Sequence, residues 1–314
     1  MPRVSVIMPL YNGSRFVSAA IQSVRGQSFK DLEILLVDDA STDGTLKKVE
    51  SHLIDRRVRL FRNSHNLGIP TTKNKALKKA NGQYVAFLDQ DDMWLPNKLE
   101  MQLRYLEDND KVGLICSGVC FIDQHGSVIG KKILDIKASK LAFPVRRLLL
   151  GNFVANSTAV VRRSCFERTG YFNEKLRGAD DYDLWIRISE SYQIYYLKRI
   201  LIKKRLHSTS FSERHIEAMK EDKLSTIYSA IKRNPNLAGE LRHFVSNVYR
   251  SSAIKYAVCG HCRQARIHFS HALKSGNRSF AVLGAYFLSF LSPMILSKTI
   301  YLGQSVKRRF GFDS

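Results

Sequence analysis

The sequence predicts an α/β chain: a doubly wound, mostly parallel sheet followed by a smaller helical region. Three observations carry that expectation. Short, continuously apolar runs such as Ile34-Leu35-Leu36-Val37 and Val85-Ala86-Phe87-Leu88 have the pattern of strands buried on both faces. Helical segments separate such runs in strict alternation, the pattern of a parallel sheet. Strand-like runs stop near residue 212, and the rest is helical in pattern and strongly basic. The expected organisation is an α/β domain over residues 1–211 and a basic helical region over 212–314.

In chain order, Val4 to Met8 form a strand that breaks at Pro9, and Leu10 to Ser14 form a loop whose Ser14 can cap a helix. That helix would bury Val17, Ile21 and Val24. Glu33 to Val37 is a second strand ending in Asp38-Asp39, and Thr42 or Asp43 can cap a helix running through Leu53. Val58 to Phe61 is a third strand, followed by a turn at Asn66-Leu67-Gly68 and a helix from Lys73 to Ala80 that Asn81-Gly82 ends. Then comes the strand Val85 to Leu88, which runs into the acids, a helix from Pro96 to about Glu107, and a buried strand at Val112 to Cys116. His125-Gly126 marks a hairpin turn, Asn156 to Val161 a strand, and Asp180 to Arg187 the start of a helix. Two short closing strands are expected at Ile194 to Leu197 and Leu201 to Leu206. Near the carboxyl end, Ala253 to Leu273 resembles a single helix–turn–helix unit of the tetratricopeptide kind, and Ser305 to Phe310 a basic, frayed tail.

The chain has 314 residues and a formal charge of +22, which calls for an anionic partner. Five cysteines without framework spacing suggest reduced thiols, and Cys259-Gly260-His261-Cys262, lacking a βαβ context, reads as structural rather than redox-active. The start Met1-Pro2-Arg3-Val4-Ser5 has no apolar signal core, so a cytoplasmic setting is expected, extending to the cytoplasmic face of the inner membrane. Phe280 to Leu296 is apolar but interrupted by Gly284 and Pro293, which fits a buried or interfacial helix better than a membrane span.

The chemistry concentrates at Asp89-Gln90-Asp91-Asp92, where an apolar strand ends in three carboxylates. Acids this close repel one another in a partly dry crevice, and a divalent cation relieves the repulsion. Mg²⁺ and Mn²⁺ favour carboxylate and phosphate oxygens, and open α/β sheets bind ligands at the carboxyl ends of their strands. The alternative is that the acids simply favour the start of the helix that Pro96 opens.

Four landmarks in order carry a resemblance: Val4-Ser5-Val6-Ile7-Met8-Pro9-Leu10-Tyr11-Asn12; Val37-Asp38-Asp39-Ala40-Ser41-Thr42-Asp43-Gly44-Thr45; Phe87-Leu88-Asp89-Gln90-Asp91-Asp92; and Asp180-Asp181-Tyr182-Asp183-Leu184-Trp185-Ile186-Arg187. With them the first 210 residues resemble an inverting family 2 glycosyltransferase of the GT-A fold. The resemblance implies that Pro9 and Tyr11 belong to the donor site, with the Tyr11 ring on the nucleotide base, and that Asp39 accepts a hydrogen bond from the base, typically uracil. It places Asp89 and Asp91 at the DxD positions: Asp91 on a Mn²⁺ or Mg²⁺ ion, Asp89 on the ribose or donor sugar, Asp92 in support. Asp181 takes the place of the catalytic base, and Asp180 stands where glutamate is usual. Lys73 stands where arginine often precedes the asparagine, a point charge in place of a fork. His207 falls near the expected diphosphate, on the metal or a phosphate, with a solvated loop histidine as the alternative. Trp94 and Trp185 follow acidic clusters; lining the sugar or acceptor site is weighed against core packing.

Glycosyl transfer needs a stabilised leaving diphosphate and a carboxylate to take the acceptor proton. An aspartate of ordinary pKa is a weak base, and Asp180 and Asp183 beside Asp181 could raise it. The expected partners are a nucleotide-diphosphate sugar, UDP in type by the base contact that the resemblance implies, a glycan or lipid-linked acceptor and an anionic membrane surface, with no nucleic acid. A sugar nucleotidyltransferase is the second reading, but Pro9-Leu10-Tyr11-Asn12-Gly13 is not the glycine-rich phosphate loop it needs; pyrophosphate release would reveal it. A basic nucleic-acid binder is the third, to be shown by steeply salt-dependent binding to random DNA. Donor and acceptor choice falls to the loops at 152–156, 177–179 and after His207.

Overall fold

A computed structural model describes residues 1–134, 140–141, 145–207, 210–276 and 280–290. The elements begin β1 (Val4–Leu10), α1 (Val17–Arg25), β2 (Leu32–Asp38), α2 (Thr45–Glu50), β3 (Val58–Arg62), α3 (Ile69–Leu77) and β4 (Tyr84–Phe87). They continue β5 (Met93–Trp94), α4 (Lys98–Glu107), β6 (Val112–Ile122), β7 (Val128–Lys132), β8 (Lys140–Leu141), α5 (Val145–Leu150), β9 (Val160–Arg162), α6 (Ser164–Thr169), α7 (Asp180–Ser189) and β10 (Gln193–Arg205). Among the described residues the α-helices that follow are α8 (Phe211–Arg214), α9 (Ile216–Arg233), α10 (Leu241–Val258), α11 (Cys262–Lys274) and α12 (Phe280–Leu288). Described residues within 1–144 and 154–207 form one compact unit; those within 145–153 and beyond 207 form another.

The first unit is a single sheet in the order β3-β2-β1-β4-β9-β6-β10-β5, with β7 on β6 and β8 on β10. The predicted parallel sheet is realised across β3, β2, β1 and β4. β9 then runs antiparallel to both β4 and β6, and the far side is mixed, with β6 and β10 parallel to each other. β2 is buried along its whole length, as its apolar run requires. Between β1 and β4 the winding changes direction, and the carboxyl ends of both strands open there into loops.

Several local expectations are corrected. Ser14 does not cap α1: the helix starts at Val17, with no side-chain cap. α2 stops at Glu50 rather than Leu53. α3 starts at Ile69, four residues before Lys73, because Gly68 takes a φ of 86° and Pro70 suits a first helical turn. Asn156–Thr158 is a 3-10 turn, so the expected strand from Asn156 shrinks to Val160–Arg162. The two closing strands are one, β10, kinked by register shifts between Leu197 and Ile202. The hairpin at His125-Gly126 joins β6 to β7, with Gly126 at φ 94°.

Among the described residues of the second unit the regular secondary structure is all helical. α5 belongs to it, burying Val145, Leu148 and Leu149, and Arg146 Nε bonds Glu240 Oε1 at 2.8 Å. Ala253 and Ala257 of α10 pack with Ala265, Phe269 and Ala272 of α11, and Gly260, at φ 81°, turns the chain between them. Cys259 and Cys262 flank that turn as free thiols. Of the apolar stretch Phe280 to Leu296, residues 280–288 are helix α12 and residues 291–296 lie outside the described residues, as does the tail 305–310. Among the described residues no helix is long and apolar enough to cross a membrane.

Candidate active site

Three loops meet where β1, β2 and β4 end. The first two are laced together: Asn12 N donates to Ser41 Oγ (3.0 Å), Asn12 Oδ1 accepts from Thr42 N (2.8 Å), and Gly13 N donates to Thr45 Oγ1 (2.8 Å). The third is held by Gln90, whose amide pairs with both backbone groups of Tyr11, accepting from its N at 2.9 Å and donating to its O at 2.8 Å. This clamp leaves the Tyr11 ring 46% exposed at the rim. Pro9 lies half-buried on β1. Asp39 is buried, and its carboxylate accepts from Asn63 Nδ2 (2.7 Å), Leu67 N (2.8 Å) and Gly68 N (2.9 Å). A carboxylate has about four acceptor sites, so three bonds leave Asp39 one more.

Asp89, Asp91 and Asp92 follow β4, and an oxygen from each lies within 4.8 Å of the others. Asp92 is fully buried; Ser157 Oγ donates to its Oδ2 at 2.6 Å and Arg205 N to its Oδ1 at 2.9 Å. Burial pushes Asp92 up to about 7, with Asp91 and Asp89 adding to the effect and Lys204 opposing it. Asp91 is partly exposed, and His207 Nε2 is 2.8 Å from its Oδ2. Burial acts to raise Asp91, but the His207 bond and Lys204 outweigh it and hold the carboxyl below its ordinary value. Lys204 Nζ lies 3.8 Å from both Asp89 and Asp92. The Arg205 guanidinium is fixed on the carbonyls of Asp91 (3.1 Å) and Asp123 (3.0 Å) and lies over the Phe16 ring. The oxygen donors of Asp91 and Asp89 fit a hard dication such as Mg²⁺ or Mn²⁺, with the already bonded Asp92 behind them.

α7 carries the second acidic cluster. Asp180 is buried and paired with buried Lys73, Nζ to Oδ2 at 2.8 Å. Burial acts to lower the Lys73 pKa, yet the carboxylates of Asp180, Asp89 and Asp181 hold it raised. Lys73 also reaches Asn156 Oδ1 (3.5 Å), and Asn156 Nδ2 donates to Asp89 Oδ1 (2.7 Å). A buried polar chain thus links the start of α7 to the acid loop. Asp181 stays partly exposed, and burial together with Asp180 raises it to about 6 against the pull of Lys73, with Asp89 adding to the rise. Asp183, expected to raise Asp181, is instead paired with Arg187 at 2.8 Å, one turn along α7. Trp185, for which substrate lining is weighed against core packing, has no exposed surface and packs 5.7 Å from Phe87, so it is a core residue. Trp94 is buried too, its Nε1 donating to Ser157 O at 2.9 Å.

The structure therefore gathers Asp89, Asp91, Asp92, Asp180, Asp181, Lys73 and His207 into one network, and holds Pro9, Tyr11 and Asp39 on the adjoining loops. Sequence reasoning missed Gln90, Ser157, Lys204 and Arg205, and gave Asn156 only as the edge of a specificity loop. The run Lys203-Lys204-Arg205 just before His207 offered a signal, as excess positive charge at a strand end.

An acid loop at the sheet's switch point, linked to an acidic helix start, is the arrangement of a GT-A glycosyltransferase. The crystal structure of Staphylococcus aureus TarS 1-349 in complex with UDP-GlcNAc shares the fold at a TM-score of 0.65, with 18% identity over 99% of this chain and 92% of that one. The mannosyltransferase PcManGT from Pyrobaculum calidifontis, in complex with GDP-Man and Mn²⁺, matches at a TM-score of 0.64 and 18% identity, over 99% and 88%. In sequence, the putative glycosyltransferase EpsE of Bacillus subtilis is 34% identical over 239 residues, 74% of this chain and 83% of that protein. An uncharacterized glycosyltransferase of Methanocaldococcus jannaschii is 30% identical over 253 residues, 79% and 83%. The model of glycosyl transferase family 2 matches residues 5–170, and the chain belongs to that family.

Proposed function

We propose that this glycosyltransferase moves a sugar from a nucleoside-diphosphate donor, UDP in type, to a hydroxyl of a glycan or lipid-linked acceptor in surface polysaccharide or glycoconjugate assembly, with inversion at the anomeric carbon. The observation that carries the reading is the buried chain Asp180–Lys73–Asn156–Asp89, which ties a partly exposed Asp181 to the acid loop. Complexes of the two structural relatives with UDP-GlcNAc and with GDP-Man and Mn²⁺ support a nucleotide-sugar donor of this general kind.

In this reading Tyr11 stacks on the base and the free acceptor site of Asp39 takes a base N–H. Asp91, helped by Asp89, would hold a Mn²⁺ or Mg²⁺ ion, which when bound neutralises charge on the leaving diphosphate. His207 orients Asp91, and Ser157 and the Arg205 amide orient Asp92. Asp181 takes the acceptor hydroxyl proton as general base; its raised pKa makes it a better base than an ordinary aspartate while leaving it ionised at neutral pH. The catalytic domain lies within residues 1–211, apart from α5, which packs with the helical unit, and the basic region 212–314 meets the acceptor or an anionic membrane, presenting the exposed rings of Phe287 and Phe290. Binding to anionic but not neutral vesicles tests that contact. Family membership favours this account over a nucleotidyltransferase.

The test is incubation with UDP- and GDP-sugars, Mn²⁺ and candidate acceptors, with the product's anomeric configuration read by NMR. Inverted product supports the reading; retained configuration, or pyrophosphate release from a nucleoside triphosphate, defeats it.

A further inference from the structure

Lys204 stands apart from the other basic groups at the acid loop. Arg205 is fastened to two carbonyls and an aromatic face, and His207 is hydrogen-bonded to Asp91. Lys204 Nζ lies 3.8 Å from Asp89 Oδ2 and 3.8 Å from Asp92 Oδ2, too far for a hydrogen bond to either. Its side chain is 33% exposed, and its ammonium sits on a flexible four-carbon stem. It neutralises the acid loop without being fixed to it. The carboxylate of Asp92 does most to hold the ammonium charged; burial opposes, and Asp89, Asp91 and Asp181 add to the hold. The ammonium thus lies within reach of the fields of both acidic clusters.

A dication on Asp91 and Asp89 would claim the same oxygen that Lys204 faces. Like charges so close in a partly dry site repel strongly, so the ammonium must give way. A displaced lysine needs a new anion, and the anion that arrives with the metal in a donor site is a diphosphate. We propose that Lys204 is a diphosphate-binding residue: it rests on the Asp89–Asp92 pair in the free protein and transfers to the donor's phosphate oxygens when the dication binds. The inference rests on the donor reading above and adds to it a residue that switches partners.

The two roles have opposite signs, and that makes them separable from a fixed structural ion pair. Mn²⁺ binding to the protein alone is read by electron paramagnetic resonance, and UDP and GDP binding at saturating Mn²⁺ by calorimetry, in wild type, Lys204→Met, Lys204→Gln and Lys204→Arg. The neutral variants should bind Mn²⁺ alone about tenfold more tightly and the nucleotide about tenfold more weakly, the size of one charge-assisted contact. Lys204→Arg, which keeps the charge, should restore both toward wild type. Two neutral variants guard against one that fails to fold. If both affinities fall together, or neither moves while wild type binds metal and nucleotide, this inference alone is overturned. If wild type binds neither, the donor reading falls and this inference with it.

Discussion

Lys73 Nζ and Asp180 Oδ2 lie 2.8 Å apart, each side chain only 4% exposed, and this pair joins α3 to the start of α7. Removing one partner leaves an uncompensated buried charge. Lys73→Met or Asp180→Asn should therefore cost about 3–5 kcal/mol in urea unfolding. The double variant should cost clearly less than the two single costs combined, because it leaves neither charge stranded. Additive losses would mean the two side chains do not act as a pair.

Asp181 is assigned proton transfer alone. Asp181→Asn should keep the wild-type donor affinity, measured by calorimetry with Mn²⁺, and lower kcat by about 10²–10⁴. Loss of donor affinity together with turnover would move Asp181 into the donor site or the scaffold.

The same carboxyl should titrate abnormally. Burial and Asp180 raise it to about 6, so in metal-free protein its ¹³C resonance should have a midpoint near 6 rather than near the ordinary 4. A raised carboxyl pKa means the charged form is disfavoured, and a nearby dication favours that form, so Mg²⁺ should move the midpoint down. Activity should then fall as pH drops through that midpoint, because the base becomes protonated. A midpoint near 4 without metal would remove the argument that Asp181 is a tuned base.

Lys98, at the start of α4, is fully buried; its Nζ has no hydrogen-bond partner among the described residues and lies 4.0 Å from the Trp94 ring centroid. Burial pushes its pKa well below the usual lysine value. The unfolded chain then binds more protons than the folded one, so wild-type stability rises with pH toward the ordinary lysine pKa. Lys98→Met, similar in shape, should stabilise the protein by about 1–3 kcal/mol near neutral pH, with the gain fading as pH approaches that value. A destabilised Met variant would show that the amine makes a favourable contact here.

The fold was legible because its strands announce themselves. Val6 to Met8, Ile34 to Val37 and Val85 to Phe87 are apolar throughout, and only a strand covered on both faces needs that. The acid loop was equally plain, since nothing in a core explains Asp89, Asp91 and Asp92 together. What sequence could not show were partners brought in from afar. Asn156 and Ser157 look like strand residues, yet a 3-10 turn delivers their side chains to Asp89 and Asp92. Asp183 and Trp185 sit in an acidic, aromatic stretch that suggests a site, yet one faces Arg187 and the other the core, because helical spacing sends neighbours to different faces. The kink in β10 left no mark that separated one bulged strand from two short ones.

The central claim is a dication held by Asp91 at a donor diphosphate, beside the acidic start of α7. Thermal melting with a panel of nucleoside-diphosphate sugars, each with and without Mn²⁺, tests it in wild type and Asp91→Ala. Ligand at about a hundredfold over its Kd stabilises the folded state by about 2.7 kcal/mol. At least one UDP- or GDP-sugar should therefore raise the wild-type Tm by several degrees only when Mn²⁺ is present, and Asp91→Ala should lose that increment. An equal rise in Asp91→Ala, or no rise with any donor in folded wild type, would contradict the account.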